Sequence, residues 1–183
     1  MLRKVFGSSV FGIEATTITV EVNIGQGIGY HLVGLPDNAI KESNYRIASA
    51  LQFNGFKIPG KKITINMAPA DMRKEGSAYD LTLAIGILTA SEQIKATGLE
   101  EYIIMGELSL DGTLQPIKGA LPIAIKAKEE GFKGFILPDE NAKEAAIVAG
   151  INVFGVKDIK EVIAFFDEEI PLEQTIVDIK EEF

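Results

Sequence analysis

Asn66-Met-Ala-Pro-Ala-Asp-Met-Arg-Lys-Glu-Gly-Ser-Ala-Tyr-Asp80 runs directly into Leu81-Thr-Leu-Ala-Ile-Gly-Ile-Leu88. Ahead of this stretch, Lys62-Ile-Thr-Ile-Asn-Met67 alternates polar and apolar residues with the period of a half-buried strand. Behind it, the most apolar run of the chain predicts a buried central helix from Ala78 to about Ile94. Ser77, followed three residues later by Asp80, has the spacing of a capping box with Asp in place of Glu. Strand, charged loop and buried helix in that order make a framework for chemistry. The loop offers Asp71, Arg73, Lys74, Glu75 and Ser77.

Upstream, Thr16 to Ile24 alternates as a strand, and Leu2 to Phe11 is its expected partner through Gly12-Ile-Glu14. Gly25-Gln-Gly-Ile-Gly29 then reads as a hairpin turn into Tyr30-His-Leu-Val-Gly-Leu35. A first helix is expected after Leu35-Pro-Asp-Asn38, capped by Asp37 or Asn38 and stopped by Gly55. Downstream, Tyr102 to Ile117 predicts a hairpin turning at Asp111-Gly112. Helices are then expected at 119–130, 141–149 and 159–166, with strands at 134–138 and 151–154. This alternation places helices over a mixed or partly parallel sheet.

Composition narrows the function classes. The chain has 183 residues, 46% of them apolar and 24% charged, as in an ordinary globular protein. It has no cysteine, which excludes disulfides and thiolate metal sites, and its single histidine, His31, excludes a multi-histidine centre. The longest apolar run, Leu81 to Ala90, falls short of the roughly 20 residues a membrane helix needs, and no signal-peptide pattern opens the chain. A cytoplasmic protein without membrane partners is expected. Residues 167–183 carry seven acids and one base, so most of the net charge of −8 sits there. They read as an acidic linker or weakly held tail behind a nearly neutral body, 1–166.

Three stretches are candidates for chemistry. Gly55-Phe-Lys-Ile-Pro-Gly-Lys-Lys62 approaches a phosphate loop, but it runs from helix to strand and has Lys62 where Ser or Thr would meet magnesium. A helix-to-strand turn is the better reading. Gly25 to Gly29 lacks the following helix of a dinucleotide fingerprint, and His31 beyond it has no acid or nucleophile in pattern with it. A packed or hydrogen-bonded His31 is expected. Ser77 at a helix start is either a nucleophile beside backbone N–H groups, with a lysine as base, or a cap, and the cap is the commoner fate. Lys57, Lys61 and Lys62, with Arg73 and Lys74, form a possible basic patch for DNA.

A family resemblance rests on several motifs in one order. They are Val33-Gly-Leu-Pro-Asp37, Ile63 to Asp71, Arg73-Lys-Glu-Gly-Ser-Ala-Tyr-Asp-Leu81, Gly106-Glu-Leu-Ser-Leu-Asp-Gly112, Pro116-Ile-Lys-Gly119 and Ile136-Leu-Pro-Asp-Glu-Asn141. Residues 1–166 resemble the N-terminal domain of the ComM (YifB) family of magnesium-chelatase-like AAA+ ATPases, itself similar to the proteolytic domain of Lon. The resemblance implies an α+β fold, a mixed β-sheet with packed helices, shared with the second domain of a small-subunit ribosomal protein. With glycines aligned at Gly76, Lon's Lys-Asp-Gly-Pro-Ser-Ala-Gly places Ala78 on the nucleophile and Ser77 on the proline. Pro116-Ile-Lys-Gly-Ala-Leu121 likewise places Leu121 on the base, with Lys118 out of register. The resemblance therefore implies a degenerate serine-lysine protease fold without catalytic residues, with a residual Ser77/Lys118 hydrolase as the alternative. It also implies an AAA+ module beyond residue 183 that binds ATP and magnesium, ring-shaped homo-oligomers, and branch migration on DNA during transformation. No cofactor is implied for residues 1–183, and magnesium chelation follows only from the family's name. The expected role is assembly, partner or substrate engagement through the loop 71–77, with direct DNA binding as a further alternative.

Overall fold

The computed structural model describes residues 1–178. Strands β1 (Leu2–Phe11) and β2 (Glu14–Gly25) form a long antiparallel hairpin, as the alternation requires. β3 (Gly29–Val33) precedes α1 (Asn38–Lys41) and α2 (Ser43–Phe53), and β4 (Lys62–Ala68) leads through the loop 69–79 to α3 (Asp80–Ala90). After a 3₁₀ turn come β5 (Tyr102–Ile104), β6 (Glu107–Leu108) and β7 (Leu114–Gln115). Then follow α4 (Ala120–Glu129), β8 (Gly134–Pro138), α5 (Asp139–Ala146), β9 (Asn152–Val156) and α6 (Ile159–Asp167). Seven strands make one sheet in the order β3-β4-β2-β1-β5-β8-β9, and β6 and β7 form a separate ribbon. The sheet is mixed. β1–β2 and β2–β4 are antiparallel, and the other four pairings are parallel.

Helix α3 is the centre of the core, with all of its residues buried. It lies on the face of β1 and β2 that carries Val5 and Val22. Gly86 permits this close approach, since a Cβ there would stand 2.7 Å from the Val22 side chain. α4 covers the opposite face, where Gly119 abuts Val10 and Glu130 accepts a hydrogen bond from Thr17. Tyr102, Phe154, Phe165 and Phe166 form an edge-on aromatic cluster that seats α6.

Three expectations are corrected. Residues 25–29 are not a hairpin, because β4 enters between β2 and β3. Gly25 and Gly29 both sit opposite Lys62, one on each side, so the glycine run straddles the start of β4. The Asp111-Gly112 hairpin is present, but only 107–108 and 114–115 pair, and β5 belongs to the main sheet. The described part of segment 167–183 is tied down rather than loose: Gln174 bridges Phe154, and the Thr175 N–H donates to the Val153 carbonyl at 2.7 Å. Residues 179–183 lie outside the described residues.

Candidate functional site

The loop between β4 and α3 folds against the segment 34–37. The Lys74 N–H donates to the Leu35 carbonyl at 3.0 Å, and the Asp37 N–H donates to the Lys74 carbonyl at 3.0 Å. Asp37 does two jobs: one carboxylate oxygen caps α1 at the Ile40 N–H, and the other accepts from the Gly76 N–H, each at 2.9 Å. Gly34 (φ +103°) brings the two backbones together, since a Cβ there would lie 2.3 Å from the Met67 carbonyl oxygen.

Lys74 points inward. Its side chain is 0% exposed, and its ammonium donates to the carbonyls of Gly34, at 2.8 Å, and Pro69. Burial pushes its pKa down, with the nearby Asp71 charge opposing the shift. A buried lysine donating to two backbone carbonyls locks two loops together. It is not displayed to a partner, and this corrects its place in the exposed loop. Arg73 and Glu75 do face solvent and pair at 3.1 Å. Arg73 also borders a shallow groove of about 410 Å³ with Leu35, Pro36, Asp37 and Lys41.

Ser77 does not cap the helix. α3 starts at Asp80 with Tyr79 in the cap position and no side-chain cap bond. The Asp80 N–H turns back to the Ser77 carbonyl at 3.2 Å, while the Ser77 hydroxyl donates to Glu107 on β6. Asp80 is likewise diverted from a capping box. It is 1% exposed and receives Arg46 Nε at 2.7 Å, Arg46 Nη2 at 2.9 Å and the Leu108 N–H at 3.0 Å. Burial raises the Asp80 carboxyl, and the Arg46 and Leu108 donors oppose that rise. Arg46 is raised in turn, chiefly by its bonds to Asp80. The pair ties α2, α3 and the β6–β7 ribbon together, and Ala78 adds a backbone bond by accepting from the Gly106 N–H at 2.8 Å.

Two loops converge at the C-terminal end of β1. The Tyr79 hydroxyl reaches the Ser9 side chain from one face, and Gly119 abuts Val10 from the other. Ala78 precedes Tyr79 and Leu121 follows two residues after Gly119, and both are half-buried. Lys118 is exposed. Neither Ala78 nor Leu121 carries a nucleophile or a base, and the neighbouring Ser77 is committed to the Glu107 carboxylate.

A family model described as the ChlI subunit of Mg-chelatase matches residues 20–141. The chain belongs to the ChlI family. It is 39% identical over 179 residues to the competence protein ComM of Haemophilus influenzae, covering 96% of this chain and 35% of that protein. It is 41% identical over 174 residues to the uncharacterised protein YifB of Escherichia coli, covering 94% of this chain and 34% of that one. Lon protease 2 of Bacillus subtilis is 31% identical over 137 residues, 73% of this chain and 24% of its own length. The chain therefore spans about a third of the length of ComM and YifB.

In this ChlI-family domain the expected basic patch divides. Lys57, Lys61 and Lys62 lie at the start of β4, Arg73 beyond its end, and Lys74 inside. A seven-residue strand separates the two ends by about 20 Å. Lys57 and Lys61 line a groove with Pro59 and Gln93, and Gln93 holds the Lys57 backbone through both its N–H and its carbonyl. The segment 55–62 is the helix-to-strand turn expected of it. His31 is exposed on β3 with its ring over Gly29, 2.8 Å from where a Cβ would stand, so it is not a packed core residue. Arg46 and Glu107 were missed by sequence reasoning. Arg46 lies on the polar side of a helix pattern, and Glu107 in a two-residue strand, so neither has a local signal. No described helix is long and apolar enough to cross a membrane, and no group of three or more potential ligands is gathered for a metal among the described residues.

Proposed function

We propose that this chain is the non-catalytic accessory domain of a ComM/YifB-type AAA+ ATPase that acts on DNA, in a cytoplasmic protein. In this reading ATP and magnesium bind to a motor module outside residues 1–183, and the domain serves ring assembly and the engagement of a partner or substrate. The DNA role comes from likeness to a relative named a competence protein.

The observation that carries the non-catalytic reading is the commitment of Ser77, Asp80 and Lys74 in the segment around Ala78. Ser77 is bound to Glu107, Asp80 to Arg46, and Lys74 to two backbone carbonyls. A serine nucleophile needs a base to take its proton and a free approach for the carbonyl carbon. The acceptor of the Ser77 hydroxyl is the Glu107 carboxylate, a far weaker base than a lysine amine, and Lys118, the alternative base, is exposed. The partner surface in this reading is the solvent-facing rim at Asp71, Arg73 and Glu75.

The test combines a serine-directed fluorophosphonate with a peptidase assay on unfolded protein substrates. No labelling and no cleavage are expected. Labelling of Ser77, or turnover abolished by Ser77→Ala, overturns the proposal in favour of a Ser77/Lys118 hydrolase. A parallel assay with branched and single-stranded DNA at low salt separates the third reading. Binding by residues 1–183 that disappears on charge reversal at Lys57, Lys61 and Lys62, and falls steeply with salt, would make the domain itself a DNA contact.

A further inference from the structure

The chain treats the two edges of its seven-stranded sheet differently. Beyond β9, its own residues Gln174 and Thr175 lie alongside Phe154 and Val153 and take up part of the edge. β3 pairs only with β4 among the described residues, so its outer row of N–H and C=O groups has no strand beside it. Proteins normally blunt such an edge with lysine, proline, a bulge or a covering segment. Ile28-Gly-Tyr-His-Leu-Val-Gly-Leu35 holds no lysine, proline or formally charged residue, and its backbone turns out of the strand at Gly34 (φ +103°) and Leu35 (φ +59°). Ile28, Val33 and Leu35 along it are 88%, 48% and 53% exposed.

We infer that β3 is a docking edge for a second copy of this chain, which adds its own β3 in antiparallel register across a two-fold axis. A two-fold axis normal to the sheet keeps every side chain on its own face. A residue can therefore oppose only one of the same parity along the strand. Centring the pair on His31 sets Gly29 against Val33 and Tyr30 against Leu32. Val33, the exposed branched side chain of the strand, then meets Gly29 and lies on the His31 ring that covers it. The edge is uncharged, so self-pairing brings no like charges together. Because the β9 edge is partly taken by the chain itself, the contact closes at two copies instead of growing into a fibre. The inference is independent of the accessory-domain reading, since a two-fold pair differs from the head-to-tail contact of a ring.

Five residues of strand span only about 17 Å, which places the interface at the small end of specific contacts and the dimer at micromolar affinity or weaker. Sedimentation of the intact chain from about 10 μM to about 1 mM should show a reversible rise toward twice 19.8 kDa. The cysteine-free sequence permits a register test. Opposed Cα atoms in an antiparallel pair stand about 4.5–5.5 Å apart, within disulfide reach, so His31→Cys should cross-link under mild oxidation. Val33→Cys should not, because its own copy lies four residues, about 13 Å, along the strand. His31→Asp sets two carboxylates directly opposite one another and should abolish the dimer while leaving the circular dichroism of this exposed site unchanged. A monomer throughout the range, a dimer that survives His31→Asp, or equal cross-linking of the two cysteine variants overturns the inference.

Discussion

Replacing Arg46 with methionine isolates the energetics of the buried junction. Asp80 is 1% exposed and accepts three hydrogen bonds, two of them from the Arg46 guanidinium at 2.7 and 2.9 Å. Arg46→Met leaves that carboxylate with only the Leu108 N–H. Breaking a buried ion pair from one side costs about 3–5 kcal/mol, and the 23% exposure of the Arg46 side chain admits water and favours the lower end, about 3 kcal/mol. Removing both partners, as Arg46→Met with Asp80→Leu, leaves one orphaned N–H and should cost only about 1 kcal/mol. The measurement is urea unfolding of wild type, both single variants and the double variant at neutral pH, with the slope checked for constancy. A loss under about 1 kcal/mol for Arg46→Met, or single costs that merely add in the double variant, would refute the reasoning. The pH dependence has a definite sign. Burial already raises the Asp80 carboxyl above 3.8 against the opposition of Arg46, and Arg46→Met removes that opposition. An acid with a raised folded pKa stabilises the fold when protonated and loses that contribution as pH rises through the folded value. The deficit of Arg46→Met relative to wild type should therefore shrink on acidification.

Lys74→Met keeps the buried volume but orphans the Gly34 and Pro69 carbonyls, and should cost about 2 kcal/mol by denaturant unfolding. Burial depresses the Lys74 pKa from 10.5, so wild type should gain stability over this variant as pH climbs through the folded value toward 10.5. Asp37→Ala removes the α1 cap and the acceptor for Gly76. It should cost about 1–2 kcal/mol and speed hydrogen exchange at the Ile40 and Gly76 amides, a pairing that loss of either bond alone would not give. Gly86→Ala drives a methyl to 2.7 Å from Val22 and 3.3 Å from Val5 where α3 packs on the sheet, and should lower stability by about 1–3 kcal/mol in thermal unfolding.

Much of the framework was legible because its signals are local. Thr16 to Ile24 and Lys62 to Met67 alternate, Leu81 to Ala90 is uniformly apolar, and Asp111-Gly112 turns a ribbon. Each property depends on residues within one element. The order of motifs also located the ChlI family and its fold. The site's polar wiring was not legible. Ser77 and Asp80 have the spacing of a cap, yet their partners Glu107 and Arg46 stand 30 and 34 residues away.

The sequence by itself determined the elements, the mixed sheet and the absence of thiol chemistry, because periodicity and composition act over a few residues. Only the tertiary structure decided strand order and side-chain commitment. It inserted β4 between β2 and β3, turned Lys74 from the solvent to two backbone carbonyls, separated Lys57, Lys61 and Lys62 from Arg73, and left β3 as an open edge. The physical reason is that a buried polar group must be satisfied by whichever partner the packing brings within about 3 Å, and distance along the chain does not predict that partner.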